Sequence, residues 1–357
     1  MMAWRGYQIE MDDRPINAAW DAFVQRVGHY QQSSCWAAAR ATLGWRAMRW
    51  VLWRTADAQI VAGVQMMMRP LRWRGVGSWV GYVPYAPVLA DDVGQAGVAQ
   101  LLDAMTQVAR RRGIGAVILI PPVAAPHIRM QVAAAGWVLS PVMPAPQATT
   151  RIPVQHDQAV LLQRMRAATR YNVRVGARRG LQVRFGDADD LPALYAMLHA
   201  TSQRKQFGLE PLAYYQQLWA HFAPHGQAWL MLAEYEQQVQ AALLHMAWGD
   251  TVTYLAGGWA GTQRQLCPND ALHWASVQRA QAAGYRWYDL NGVDRATVQA
   301  TLRGAEAVSA DPVYAFKLGY GGEVQVLPDS YVWLAYGQAS YARLNPLLHR
   351  LWRGARN

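Results

Sequence analysis

The feature that most constrains this chain of 357 residues is that its order of elements runs twice. In the first half, helical patterns at residues 17–27 and 35–42 lead to strands at 48–54, 60–69 and 78–83, rich in valine, tryptophan and alternating apolar positions. A helical pattern at 98–112 follows, then Gly113, then a buried strand at 116–120. In the second half, helices at 189–207 and 212–222 lead to strands at 228–235, 239–248 and 251–256. A helix at 270–283, Gly284 and a strand at 286–290 complete the series. Gly113 and Gly284 are 171 positions apart, Val80 and Val252 are 172, and Ile60 and Val239 are 179. Three landmarks at nearly constant offset point to an internal duplication.

A unit of helices, antiparallel strands, helix and strand has the order of an acyl-CoA N-acetyltransferase-like (GNAT-like) fold. The expectation is therefore an α+β protein with two tandem GNAT-like domains, at residues 1–150 and 151–330, meeting across a cleft. The chain is long enough for each half to bury its own core. No helical insertion interrupts the second half, so no coiled-coil arm is expected. Residues 331–357 mix tryptophan and leucine with Arg343, Arg350, Arg353 and Arg356. They are read as a basic amphipathic helix, a type that packs on its own domain or lies on an anionic membrane face. The N-terminus shows no apolar signal core, and the apolar run at 115–126 is too short and proline-broken to span a bilayer. The expectation is a cytoplasmic protein with access to the membrane face.

The net charge is +11, from 32 arginines and two lysines, Lys205 and Lys317, against 23 acidic residues. Residues 164–180, RMRAATRYNVRVGARRG, hold six arginines and no acid. Arg166, Arg170, Arg174 and Arg178 recur every four residues, so on one helix they line one face. Three like-charge i,i+4 pairs cost on the order of 1 kcal/mol. An external anion, a diphosphate or a nucleic-acid backbone, would relieve that cost; the plain alternative is a solvated helix. Tyr171 and Asn172, between the arginines, suit stacking and hydrogen bonding. Cys35 and Cys267 form neither a disulfide framework nor a thiolate site, and His199, His245 and His273 lack metal-ligand spacing. No metal and no cofactor are assigned. Residues 110–115, RRRGIG, match the arginine-x-x-glycine-x-glycine loop that binds coenzyme A pyrophosphate. That loop must follow a strand and open a helix, whereas here it follows a helix and opens a strand.

Several of these stretches resemble the FemABX family of peptidoglycan aminoacyltransferases. They are the basic segment 164–180, ATSQRKQFG with Arg204 followed by Tyr214 and Tyr215, and LCPNDALHW at 266–274. AGYRWYDLNGV, which carries Asp289, and FKLGYGG at 316–322 complete the set in the second half. The first half adds residues 32–40, with a tryptophan four residues before Arg40, and YVPYAPV at 82–88. The resemblance covers nearly the whole chain and is strongest over 164–322. It implies transfer of an aminoacyl group from charged tRNA to the side-chain amine of a muramyl-pentapeptide precursor, UDP-linked or lipid-linked. It also implies that Arg40, Tyr82 or Tyr85, Arg166, Arg170, Tyr171, Asn172, Arg204, Tyr215 and Asp289 hold the precursor, the cations neutralising its diphosphate. Lys317, with Phe316 beside it, would sit by the reacting ester. This chain departs from the family in having Arg40 where a lysine is usual and Tyr85-Ala86-Pro87 in place of arginine-glycine-proline.

Aminolysis of an ester needs a neutral amine, a stabilised oxyanion and a route for one proton. Lys317 suits the oxyanion, because its ammonium is a compact charge in a chain whose default cation is arginine. Asp91 either assists proton transfer or belongs to a strand-end turn. Asp289 either caps a turn or faces the cleft. The rival enzyme reading is an acyl-CoA-dependent N-acyltransferase acting on an amino sugar or peptide. A third reading is a non-catalytic protein bound to RNA or membrane.

Overall fold

The computed structural model describes residues 2–4, 6–73, 76–90, 93–125, 127–293, 298 and 312–337. They divide into two units, one from Met1 to Pro144 that also takes the segment after Pro328, and one at Ala145–Leu327.

In the first unit the elements are β1 (Met2–Trp4), β2 (Tyr7–Asp12), α1 (Ala18–Val27), α2 (Ser34–Ala41), β3 (Arg46–Arg54), β4 (Gln59–Trp73), β5 (Val76–Val83) and β6 (Val88–Leu89). Helix α3 (Gln95–Arg111), β7 (Ile114–Leu119), α4 (Ile128–Ala134) and β8 (Val138–Leu139) follow. In the second unit they are β9 (Ala148–Pro153), α5 (Gln158–Arg164), α6 (Ala167–Arg178), β10 (Gln182–Gly186), α7 (Leu191–Lys205), α8 (Leu212–Phe222), β11 (Ala228–Tyr235), β12 (Gln238–Trp248) and β13 (Thr251–Trp259). Then come α9 (Pro268–Ala282), β14 (Trp287–Val293), the helix at Pro312–Leu318 (α10) and β15 (Glu323–Val326). The last described strand, β16 (Tyr331–Leu334), returns to the first sheet.

The two sheets share one plan. The first runs β1-β2-β3-β4-β5-β7-β16-β8 and the second β10-β11-β12-β13-β14-β9-β15. In each, an antiparallel run ends on a strand with a parallel neighbour, β5 with β7 and β13 with β14. A parallel neighbour requires a crossover, which α3 and α9 supply. α3 buries Val98, Leu101, Leu102, Met105 and Ala109, spaced three and four apart, against a β7 that is buried throughout. Ile60 and Val239 fall in the equivalent strands β4 and β12, and Val80 and Val252 in β5 and β13. Gly113 and Gly284 both end their crossover helices with positive φ, 69° and 80°, which glycine adopts without steric cost. The duplication read from the sequence is thus a duplication of topology.

Three expectations change. Residues 164–180 do not form one helix: α5 ends at Arg164, Met165 and Arg166 are extended (ψ 148° at both), and α6 begins at Ala167. Arg166 therefore stands outside the helix that carries Arg170, Arg174 and Arg178. The prolines of YVPYAPV would bar it from a central strand, yet Tyr82 and Val83 finish β5, an interior strand, and the chain turns only at Pro84. Residues 331–334 are a strand instead of the start of a basic helix, and the remainder of that tail lies outside the described residues. The division at Pro144 also leaves β9 whole in the second unit, where a boundary at residue 150 would cut it. Among the described residues the longest helix has 17 residues, and no helix is long and apolar enough to cross a membrane.

The first unit is tied together by a buried polar chain. Arg49, fully buried on β3, donates through Nε to Asp12 Oδ2 at 2.8 Å, through Nη1 to Gln65 Oε1 at 2.9 Å, and through Nη2 to the Arg14 carbonyl. Gln65 Nε2 passes on to the Ser33 carbonyl at 2.7 Å, and Gln32 Nε2 bonds the carbonyls of Gln65 and Pro84 at 3.1 and 2.7 Å. Burial opposes ionisation of Asp12, but the bonds from Asn17, Arg14 and Arg49 outweigh it and hold the carboxyl well below the usual carboxylate range. Asp12→Ala leaves a buried guanidinium uncompensated and is expected to cost about 3–5 kcal/mol in chemical denaturation. A folded-state value depressed in this way contributes stability above roughly pH 4 that is lost as pH falls through and below that region. The gap between wild type and Asp12→Ala should therefore narrow on acidification.

Candidate active site

The second unit places its chemistry where β13 and β14 part. They pair only between Thr251–Thr253 and Trp287–Asp289, although β13 runs on to Trp259 and β14 to Val293. Crevices at the carboxyl ends of parallel strands are where α/β sheets take ligands. At this point β14 bends: Asn291 adopts a left-handed φ of 60° and the register with β9 shifts between Asp289 and Gly292. Asp289 caps the bend, its Oδ1 accepting the Asn291 N–H at 2.6 Å and the Thr149 hydroxyl. This is the turn-capping role expected of it. Burial pushes its carboxyl up, opposed by the bonds from Thr149 and Asn291.

Lys317, on α10, reaches this bend. Its Nζ donates to the Gly292 carbonyl at 2.8 Å and to the Asn291 carbonyl at 3.2 Å. The ring of Phe316 packs 5.5 Å from His273 and 5.4 Å from Tyr320. The glycines of FKLGYGG have a physical cause. Arg166 N–H donates to the Gly319 carbonyl at 2.9 Å, and a Cβ at 319 would meet Thr169 Oγ1 at 2.5 Å. At Gly321, with φ +68°, a Cβ would run into the Arg164 carbonyl, and at Gly322 it would lie 2.8 Å from the Arg151 carbonyl. The lysine segment is thereby docked on the start of α6 and on β9.

The other second-unit candidates separate into anchored and open groups. Arg170 Nη1 lies 3.4 Å from the carbonyls of Leu162 and Gln163, capping α5, and Arg166 Nη1 lies 3.4 Å from the Ala315 carbonyl on α10. Arg204 is a clamp: it donates to the Trp259 carbonyl and to Thr201 Oγ1 and lies 5.0 Å over the Trp259 ring. Asn172 turns inward and bonds Asp270, while Tyr171 stays exposed. Tyr215 is buried, 5.3 Å from Tyr214 and 6.4 Å from Tyr195. Arg164, Arg174 and Arg178 are exposed and make no hydrogen bond or ion pair among the described residues.

The first unit holds Arg40, Tyr82 and Tyr85. The guanidiniums of Arg40 and Arg69 each lie 5.3 Å from the Trp45 ring, with Tyr82 6.3 Å from it. Burial pushes the Tyr82 phenol up, against the pull of Arg40. Tyr85, at φ 49°, packs tilted against His29 with ring centroids 4.1 Å apart and lines a cavity of about 500 Å³ with Pro87, Val88 and His127. Asp91 lies outside the described residues.

Sequence reasoning singled out residues 266–274 but missed that the segment at 264–269 follows a strand and opens a helix in the second unit. It joins β13 to α9, and there Arg264-Gln265-Leu266-Cys267-Pro268-Asn269 occupies the arginine-x-x-glycine-x-glycine spacing with neither glycine. Cys267 is left-handed at φ 48°, Pro268 at the first helical position has no N–H, and Asp270 is buried in the first turn. Burial pushes the Asp270 carboxyl up to about 6, against the bond from Asn172. A helix start with a missing donor and a carboxyl group is a poor phosphate cradle. The spacing Arg264-x-x-Cys267-x-Asn269 was the signal available. Among the described residues no group of three His, Cys, Asp or Glu side chains is placed to hold a metal.

Comparison with known proteins fits this geometry. Residues 163–306 match the family model of the acetyltransferase (GNAT) domain. A crystal structure of FemX aligns over 96% of this chain and 99% of its own, with a TM-score of 0.75 at 17% identity. The chain has a tandem GNAT-like fold, and its second half carries the match to the GNAT domain. Its likeness to the FemABX family extends over the whole fold. L-PGS from Bacillus licheniformis aligns over 96% of this chain and 98% of its own (TM-score 0.59, 14% identity). A tandem GNAT protein from the clavulanic acid biosynthesis pathway aligns over 92% and 99% (TM-score 0.53, 12% identity). No curated protein matches the sequence significantly.

Gly321→Ala tests the docking of the lysine segment. A side chain at positive φ facing the Arg164 carbonyl is expected to lower the melting temperature by several degrees and to disturb the site, whereas Gly337→Ala, at φ 69° with open space around it, lowers it less.

Proposed function

We propose that this protein transfers an aminoacyl group from charged tRNA to the side-chain amine of a muramyl-pentapeptide precursor. The observation that carries the reading is the Lys317 ammonium, held by two backbone carbonyls where β13 and β14 part. Attack of the neutral amine on the ester carbonyl creates an oxyanion, which a nearby ammonium in a partly dry crevice stabilises. Collapse expels the terminal ribose hydroxyl, and one proton passes from nitrogen to oxygen. Phe316, packed on His273 and Tyr320, fixes the helix turn that carries the lysine.

The open arginines Arg164, Arg174 and Arg178, with the exposed Tyr171, suit a phosphodiester backbone and a stacking base. In the first unit, Arg40 with Tyr82 and Tyr85 is the group offered to the precursor, its cation standing for diphosphate neutralisation. The poor phosphate cradle at the start of α9 supports a charged-tRNA donor over acyl-CoA. The arginines at 343, 350, 353 and 356, read from the sequence, would bring the enzyme to a membrane-bound precursor at the cytoplasmic face. The division of labour proposed gives the acceptor to the first unit and the chemistry to the second.

Lys317→Ala is expected to lower kcat for transfer by about 10²–10³-fold while the precursor still raises the melting temperature. Full activity in that variant would remove the lysine from the mechanism. A wild type stabilised by acetyl-CoA and silent to the UDP-linked pentapeptide would overturn the reading in favour of acyl-CoA chemistry. Arg174→Ala with Arg178→Ala should weaken tRNA binding across tRNA sequences and reduce its salt dependence by roughly two charges.

A further inference from the structure

The first unit repeats the topology of the second but not its chemistry. Here β5 and β7 are the parallel pair, and the chain leaves them at Val83 and Leu119. The segments that follow, residues 85–90 and 122–125 with His127, close with the end of α1 around the cavity of about 500 Å³ that Tyr85 lines. The carboxyl ends of parallel strands thus frame an opening in this sheet, as β13 and β14 do in the other. Its volume falls within the range of ligand pockets, about 300–1,000 Å³.

The walls are aliphatic. Val27, Val88, Leu89, Val93 and Val123 line the cavity together with prolines and alanines. Val27 and Val123 are 46% and 38% exposed, so the cavity opens to solvent beside them. In a chain with 34 lysines and arginines, no charged side chain stands among the described lining residues. A phosphate or carboxylate taken inside would lose its hydration with no cation to replace it. A sugar ring would need more polar partners than His29, Tyr85 and His127 supply. What the lining fits is an uncharged aliphatic group that carries a hydrogen-bond acceptor.

The donor for that acceptor is set by geometry. His29 caps the short turn at Tyr30–Gln32, its Nδ1 accepting the Gln31 N–H at 3.3 Å. A ring nitrogen that accepts carries no proton, so the neutral ring has its proton on Nε2. Tyr30 and Tyr85 pack against the ring with centroids 4.3 and 4.1 Å away. Nε2 makes no hydrogen bond among the described residues and is not sealed from solvent. With Nδ1 turned to the backbone, Nε2–H is what the ring offers to the cavity it lines. Burial pushes this imidazole down to about 3, in keeping with a neutral ring. Gly28 places it: a Cβ there would meet Val88 Cγ1 at 2.9 Å and the Val24 carbonyl at 3.1 Å, so the end of α1 lies directly on β6.

We propose that this cavity is a subsite for the alanyl end of the acceptor peptide, its methyl groups against the valines and the carbonyl between the last two residues accepting from His29 Nε2–H. This rests on the muramyl-pentapeptide reading. The two terminal alanines are the one pair of consecutive residues in such a peptide with uncharged side chains; the second position carries a carboxylate and the third the amine to be acylated. The terminal carboxylate stays in water at the open side, where His127 is exposed.

The test is calorimetric titration of the full chain with the UDP-linked pentapeptide and with the UDP-linked tripeptide that lacks both terminal alanines. The pentapeptide should bind about tenfold more tightly, as burial of two methyl groups supplies. Val123→Trp, which fills the cavity from its exposed side, should weaken the pentapeptide alone and bring the two to within about twofold. His29→Asn keeps an acceptor for the Gln31 N–H but has no donor at the Nε2 position, and should lose most of the preference. His29→Gln, whose amide reaches that position, should retain more of it. Equal affinity of the wild type for both nucleotides, or a preference that neither Val123→Trp nor His29→Asn moves, overturns the subsite and leaves the acceptor reading standing. Binding of neither nucleotide overturns that reading, and the subsite with it. Stabilisation by octanamide without a preference for the pentapeptide would assign the cavity to a free acyl chain and likewise overturn the proposal.

Discussion

The second unit depends on one close backbone approach. Residues 319–322 lie so near the start of α6 and the edge of β9 that side chains at these glycines would collide with the Thr169 hydroxyl or the carbonyls of Arg164 and Arg151. Because that contact is backbone on backbone, it admits little play. It fixes α10, and α10 fixes Lys317 over the bend of β14. The bend is held from below by Asp289 and Thr149. A single flexible cation is thus positioned by rigid pieces on three sides, which is what electrostatic stabilisation of a developing charge requires.

The distribution of cations supports a division of roles. Arginines do the holding in this chain: Arg170 caps α5, Arg204 clamps the end of β13, and Arg49 knits the first sheet. Each uses a planar, many-donor head that is well suited to several carbonyls or one carboxylate. Lys317 is used differently, as a compact charge held on the carbonyls of Asn291 and Gly292. The same economy appears at the start of α9, where proline and a buried carboxyl group occupy the place a phosphate would need.

Much of the fold was legible because its periodicities are strong. The crossover helices end on glycines that must be left-handed, so the spacing of Gly113 and Gly284 alone marks equivalent points of the two halves. Strands at 228–235 and 251–256 and the helix at 212–222 were visible for the same reason of clear period and length. The break at Met165 was not, since Met165 and Arg166 carry no helix-breaking residue and their extended backbone is imposed by docking against Gly319. Strand β16 was hidden too, because its partners β7 and β8 lie some two hundred residues earlier. At the site, Lys317 was legible from rarity and motif. Arg204 and Arg170 read as free cations because a sequence does not reveal which carbonyls a guanidinium will meet. His273 and His245, 28 positions apart, look scattered along the chain and meet only because α9 folds across β12 and β14.

The interrupted arginine segment has a thermodynamic side. Two helices of 7 and 12 residues are each too short to persist alone, and the longer one carries mutually repelling charges. Helix α6 therefore exists because tertiary packing holds it, on α9 along its buried face and on the glycine turn at its start, and the charges it displays are a cost borne by the folded state. Any polyanion that neutralises them repays part of that cost, so ligand binding and the integrity of the lysine's support are linked functions. Such a unit is most firmly assembled when an anion lies along the arginines, and the tightening needs no moving lid.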